Sequence, residues 1–164
     1  WAQQLDGRGA RVDLEAEKLA IVVNRGVADG TVQITADSLN ALGAESLFLG
    51  GHRSTSGDTT NLLVSASKVK VGEGVVLDVP ELLLGARDEV RVASGAHIGA
   101  SGKASDAANN YTLQGNGALL QLSGGGPVQI TRTNANGTTG DLYIEQGATL
   151  TASGSMYLES SHGI

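Results

Sequence analysis

EVRVASGAHIGASG, residues 89–102, returns fifty-two positions later as DLYIEQGATLTASG, residues 141–154. The correspondence runs position by position: Val90 with Leu142, Val92 with Ile144, Gly95-Ala96 with Gly147-Ala148, Ile98 with Leu150, and Ala100-Ser101-Gly102 with Ala152-Ser153-Gly154. What is repeated is a spacing of apolar residues around a Gly-Ala turn, with no reactive group at a fixed place. A chain that repeats such a spacing offers each unit the same apolar face as the last, which is how stacked repeats bury their core.

The same line recurs in weaker form upstream. KVKVGEGVVLDV (68–79) lies 21 positions before the quoted stretch, with Val69, Val71, Gly74 and Leu77 in the slots of Val90, Val92, Gly95 and Ile98. RVDLEAEKLAIVV (11–23), TVQITADSLNAL (31–42) and LLVSASKVKV (62–71) share the pattern apolar-x-apolar-x-Ala-x-x-apolar. Within each unit the period is two, as in Val12/Leu14, Val32/Ile34, Val128/Ile130 and Leu142/Ile144, which predicts strands with one buried and one wet face. Gly-Ala, Ser-Gly, Asn-Gly and Asp-Gly pairs between them supply tight bends. About three short strands use about 20 residues, and coils stacked at about 4.8 Å pair each strand in parallel with the next. The expected fold is all-β: one parallel solenoid over 1–164, of about six to seven coils and about 30 Å long. GGHRSTSGDTTN (50–61) and SGKASDAANNYTLQGNG (101–117) lack the alternation and are expected to leave the core as polar insertions, where surface individuality concentrates.

Composition narrows the function classes. Aromatics are only 3% of the 164 residues and the apolar set is almost wholly Leu, Val, Ile and Ala, so the interior is expected to be narrow and layered. A net charge of −6, with the eleven Lys and Arg dispersed along the chain, excludes a phosphate-backbone partner, so nucleic acid is not expected. The absence of cysteine excludes disulfides and thiolate chemistry. No stretch approaches the roughly 18 consecutive apolar residues of a membrane span. The chain opens on Trp1 with no basic-then-apolar leader, so it reads as a piece cut from a longer protein.

PELLLGARDEVRVASGAHIGASG (80–102), GALLQLSGG (117–125) and TGDLYIEQGATLTASGSMYLES (139–160) resemble the degenerate repeats of filamentous haemagglutinin-like adhesins, the large exoproteins of bacterial two-partner secretion. The likeness covers most of the chain from about residue 31 onward and lies in pattern, since no single residue of these repeats is diagnostic. The resemblance implies a right-handed parallel β-helix, secretion through an outer-membrane partner, a place on the bacterial cell surface or in the medium, and a role in cell adhesion. The amino-terminal secretion signature of the family is not in this stretch, so the resemblance places the piece inside the rod.

Candidate chemistry is sparse. His52, His97 and His162 are too far apart in sequence for a metal motif, and no metal or cofactor is expected. Arg87, Asp88, Glu89 and Arg91 form the densest charged group, but adjacent strand residues point to opposite faces, which separates Asp88 from Arg87 and Glu89. A calcium-binding nonapeptide, a phosphate loop and a nucleophile elbow are all missing. Asn110-Tyr111-Thr112 and Asn136-Gly137-Thr138 have the acceptor pattern for glycosylation. No catalytic residue is assigned. The binding candidates are His52 and Arg53 in the first insertion, Arg87 and Arg91 in the charged group, and Tyr143 and Tyr157 as rings for a sugar. The leading expectation is a structural and adhesive segment without turnover, contacting host-cell or matrix glycans or proteins, with strand edges at its ends through which the piece self-associates. The competing expectation is a carbohydrate-binding or polysaccharide-degrading domain built on Arg87, Asp88, Glu89 and Arg91.

Overall fold

Alternating apolar and polar residues, broken every few positions by Gly, Ser, Asn or Asp, build short strands and almost nothing else. The computed structural model describes residues 2–3, 10–27, 29–102 and 110–164. In chain order the elements begin with β1 (Ala2–Gln3), β2 (Ala10–Leu14), β3 (Lys18–Val22), β4 (Val32–Thr35), a helix α1 (Ala36–Ala41), β5 (Ala44–Leu49), β6 (Gly51–Ser56), β7 (Thr59–Val64) and β8 (Lys68–Val71). They continue with β9 (Val76–Asp78), β10 (Glu81–Ala86), β11 (Glu89–Val92), β12 (His97–Ala100) and β13 (Asn110–Gln114). The last five are β14 (Ala118–Ser123), β15 (Gln129–Thr133), β16 (Asp141–Ile144), β17 (Thr149–Ala152) and β18 (Ser155–Ser160). No helix among the described residues is long and apolar enough to cross a membrane.

The chain is all-β, but the right-handed parallel β-helix of about six to seven coils is not what it forms. A regular solenoid places one strand per coil in every sheet, all parallel. Here four separate sheets hold six, five, three and four strands, in the orders β1-β2-β5-β10-β14-β18, β16-β11-β8-β3-β4, β17-β12-β9 and β15-β13-β7-β6. Antiparallel pairs interrupt the ladders at β1/β2, β10/β14, β14/β18 and β6/β7. The 164 residues are too few for six or seven coils, because a helix, a hairpin and two further strands of the four-stranded sheet consume chain that regular coils would need.

The two stretches expected to leave the core as polar insertions are in part strands. Residues 51–64 are the β6–β7 hairpin, turning at Gly57 (φ +61) and Asp58, and 110–114 are β13, which pairs in parallel with both β7 and β15. Thr60 and Leu62 of β7 and Tyr111 and Leu113 of β13 are buried. Their alternation was hidden because the buried slots are filled by Thr and Tyr as well as Leu. Residues 103–109 of the second stretch lie outside the described residues.

The duplicated line, by contrast, pairs as its register demands. Glu89–Val92 lies parallel to Asp141–Ile144, and His97–Ala100 to Thr149–Ala152, each residue against its fifty-two-position counterpart. On the other side β11 pairs with β8, residue for residue at a spacing of 21. Inner slots therefore stack: Val71, Val92 and Ile144 form one column, Leu77, Ile98 and Leu150 another. All of these but Ile144, which is exposed at the end of its column, join Leu47, Leu49, Leu82, Leu84, Leu120 and Leu122 of the six-stranded sheet in the main core, most of whose members are fully buried.

A second core lies outside the first. Phe48, Leu83 and Leu119 on the other face of the six-stranded sheet meet Leu62, Tyr111 and Leu113 of the four-stranded sheet. The six-stranded sheet is thus sandwiched, which is why β5, β10 and β14 are buried along almost their whole length. Where chain passes between sheets the backbones come very close: a Cβ on Gly140 (φ +100) would lie 2.5 Å from the backbone of Gly117, so this corner admits only glycine.

Substitution of Val92 by Asp is expected to cost several kcal/mol, since Val92 is 0% exposed within its column and the charge would have no partner there. The same change at Ile144, 37% exposed at the end of that column, is expected to cost much less. Chemical unfolding of the two variants checks the difference, and equal losses would contradict the stacking.

Candidate functional site

Two buried arginines bracket the space between the six- and four-stranded sheets. Arg53 projects from β6 with only 5% of its side chain exposed. Its Nε donates to Asp13 Oδ1 at 2.7 Å, its backbone N–H to Asp13 Oδ2 at 2.9 Å, and its terminal nitrogen to the carbonyls of Val12 (3.1 Å) and Ser46 (3.2 Å). Ser46 Oγ in turn donates to Glu81 Oε1 at 2.7 Å, and Tyr111 Oη donates to the same oxygen at 2.7 Å. Burial, with the Glu81 carboxylate beside it, raises the Tyr111 phenol well above its ordinary range, so it stays a donor. At the other end Arg132 of β15 grips Glu159 of β18 through Nε (2.5 Å) and a terminal nitrogen (2.6 Å), with 9% and 18% of the two side chains exposed. Between them Gln121 is fully buried, opposite Leu83 and Tyr157, and neither of its amide atoms is bonded.

These contacts separate the six residues singled out from the sequence. Arg53 is enclosed and fully engaged within the protein. His52, its neighbour, points the other way, exposed on the outer face of the four-stranded sheet with Nδ1 2.9 Å from Glu15. Arg87 makes an exposed bidentate contact with Glu17 at 2.9 and 3.0 Å, in a groove of about 480 Å³ lined by Asp88, Asn116 and Thr139. Arg91 sits on a different surface, the outer face of the five-stranded sheet. It bonds Glu89 and Glu145 at 2.9 Å each, and its guanidinium lies 4.3 Å from the centroid of the Tyr143 ring. Both carboxylates hold Arg91 above its usual range, and Arg91, helped by the Ser94 N–H, holds Glu145 below the usual carboxylate range. Tyr143 follows Arg91 in register, as the repeat requires. Tyr157 belongs to the six-stranded sheet, opposite Gln121, so the two tyrosines form no common patch.

Two surface features were not legible residue by residue. Lys18, distant in sequence from Lys68 and Lys70, lines one groove of about 260 Å³ with them, Gln33 and Asp29, because Lys18 pairs in register with Lys68. The other feature is the outer face of the four-stranded sheet. Its strands align Ser54, Asn61, Thr112 and Thr131 in one row and Ser56, Thr59, Asn110 and Gln129 in the next. Thr112 donates across the strands to the Asn61 side chain. His52, Leu63 and Gln114 extend the array along a shallow groove of about 610 Å³ that also touches Ser54, Asn61 and Thr112. No protein family, curated protein or solved structure matches this chain. Its surfaces are therefore read from their own chemistry. This one is an array of hydroxyls and amides around the exposed Leu63, with His52 and its Glu15 partner beside it, on a sheet braced from behind by two ion pairs. Such a face can exchange hydrogen bonds with a neutral polar ligand.

The different duties of the arginines give a direct test. Arg53→Ala leaves Asp13 and Glu81 without their buried cation and is expected to lose about 3–5 kcal/mol, whereas Arg87→Ala, at an exposed pair, is expected to lose less than about 1 kcal/mol. Urea unfolding compares them, and a tolerated Arg53→Ala would remove the bracing role.

Proposed function

We propose that this chain is a non-catalytic extension and attachment module of a secreted or surface-displayed bacterial adhesin, and that it makes contact through the hydroxyl and amide face of the four-stranded sheet. The observation that carries the reading is the register of that face: residues from β6, β7, β13 and β15 form rows of short neutral polar side chains with almost no charge between them. A ligand rich in hydroxyls, such as a neutral glycan of a host cell or matrix, satisfies such an array without desolvating an ion. The sequence resemblance to haemagglutinin-like repeats supports the same reading, as do the layered cores, which make the body stiff. Export through an outer-membrane partner belongs to the proposal on the resemblance alone.

The enzyme reading gains less support. Arg87 and Asp88 line one groove while Glu89 and Arg91 lie on the face of another sheet, with Arg91 already bound to two carboxylates. The four charged residues therefore do not converge on a common point.

Binding of the intact chain to an array of neutral and acidic glycans tests the proposal. Thr112→Lys places a charge in the middle of the face and Thr131→Lys one on its edge strand, while both leave the buried side of the sheet untouched. The expected result is specific binding to neutral glycans, weakened at least tenfold in both variants. Binding that is absent, or indifferent to both substitutions, would overturn the assignment of the face.

A further inference from the structure

Register on the outer face of the five-stranded sheet gathers positive charge in a protein whose net charge is −6. Lys18 pairs with Lys68, and Lys70 follows Lys68 by two residues on β8, so the three stems leave one face about 5 and 7 Å apart. Next to Lys70 in register stands Ala20, and beyond it Gln33. A methyl group among long side chains leaves a depression, and Ala20 is the floor of the groove of about 260 Å³. Val27, Asp29 and Thr31 complete the lining, and Gln33 anchors their loop by accepting from Gly26 N–H (2.7 Å) and donating to the Val27 carbonyl (3.2 Å).

The acids that could neutralise these lysines are engaged elsewhere. Ion pairs among the described residues use four arginines and two histidines but no lysine. Glu89 lies opposite Lys68 in register and lines the groove, yet its carboxylate is bonded to Arg91, which also takes Glu145. The other carboxylate of the groove is that of Asp29, which is exposed and engaged by Thr31. With Glu89 offset by Arg91, three ammonium groups face this one carboxylate and keep the groove positive.

We infer that this groove binds the phosphomonoester of a sugar, with the phosphate among Lys18, Lys68 and Lys70 and a ring hydroxyl donating to Asp29. A phosphomonoester carries a charge of about −1.5 to −2 at neutral pH and offers three acceptor oxygens, which matches the excess of ammonium groups, whereas a sulfate ester or a sugar carboxylate is a monoanion. Lysine binds phosphate as a point charge on a flexible stem, so three stems can meet one group from different sides. Asp29 repels an anion but accepts a hydroxyl, and thereby orients a ligand with phosphate at one end and hydroxyls at the other. The negative charge of the whole chain disfavours a polyanion and selects a ligand whose charged group is the one that the groove neutralises. The inference is independent of what the four-stranded sheet binds.

Calorimetric titration of the full chain with glucose-6-phosphate, its sulfate-ester counterpart, inorganic phosphate and glucose tests it. The sugar phosphate is expected to bind at least tenfold more tightly than the sulfate ester, inorganic phosphate less tightly than the sugar phosphate, and glucose not at all. Lys68→Gln and Lys70→Gln are each expected to weaken the sugar phosphate at least tenfold, as is Ala20→Leu, which fills the floor and leaves every charge in place. Arg11→Gln, an equal change of charge on the six-stranded sheet, is expected to leave binding unmoved. Asp29→Ala is expected to abolish the preference for the sugar phosphate over inorganic phosphate. Below a pH of about 6 the ester takes up a proton while the lysines keep theirs, so its binding is expected to weaken there. No binding of either phosphate, equal affinity for the sulfate ester, or binding that survives the lysine substitutions would overturn the inference, and equal affinity for inorganic phosphate would overturn the sugar as the phosphate's source.

Discussion

In the five- and three-stranded sheets each inner side chain lies over the same slot of the neighbouring strand, and that in-register parallel pairing is the constraint from which the rest follows. A slip by one residue would turn the whole apolar set of a strand to the outside. The columns Val71–Val92–Ile144 and Leu77–Ile98–Leu150 fix the pairing, because branched aliphatic side chains packed on their equals leave neither a void nor room for a ring. The near absence of aromatics is thus a geometric requirement: Phe48 and Tyr111, the buried rings, lie in the outer core between two sheets, away from the columns.

Once inner slots align, outer slots align with them, and the surface acquires order that no local motif encodes. This places Arg91 over Tyr143 and between two glutamates, sets Lys18 beside Lys68, and lines up Ser54, Asn61, Thr112 and Thr131. It also lets one side chain substitute for a strand, as Asn40 does on β9. The four-stranded sheet is held to the body by its apolar middle and by the Arg53 and Arg132 ion pairs at its flanks.

The sequence disclosed the parts of this fold that depend on repetition. The pairing of 89–102 with 141–154 and the outward slots of His97 and Tyr143 were readable because equivalent residues recur at constant spacing. Where the chain departs from repetition the reading failed. The β6–β7 hairpin and β13 look like loops in the sequence because Thr60 and Tyr111 occupy buried slots, and the Tyr111 hydroxyl is satisfied there by Glu81, which lies elsewhere in the chain. Arg53 looked like a surface residue for the same reason, since its partners Asp13 and Ser46 come from two other strands. The reversed direction of β14 left no mark at all: ALLQLS, buried at every position, suits a strand of either direction, and only the sheet shows it antiparallel to β10 and β18. A uniform solenoid over 1–164 extends the best-kept units over regions that do not share their register.

Register is also what a single measurement can probe most directly, in a protein whose lack of cysteine gives a clean background. His97 and Thr149 are partners across β12 and β17, so cysteines at both positions have Cα atoms at the parallel spacing of about 4.8 Å, within reach of a disulfide. Cysteines at His97 and Thr151 are offset by two residues, about 8 Å apart and out of reach. Mild oxidation of the folded chain is predicted to close the first pair rapidly and leave the second as free thiols. Equal closure of both pairs, or preferred closure of the second, would contradict the in-register stack on which this account of the protein rests.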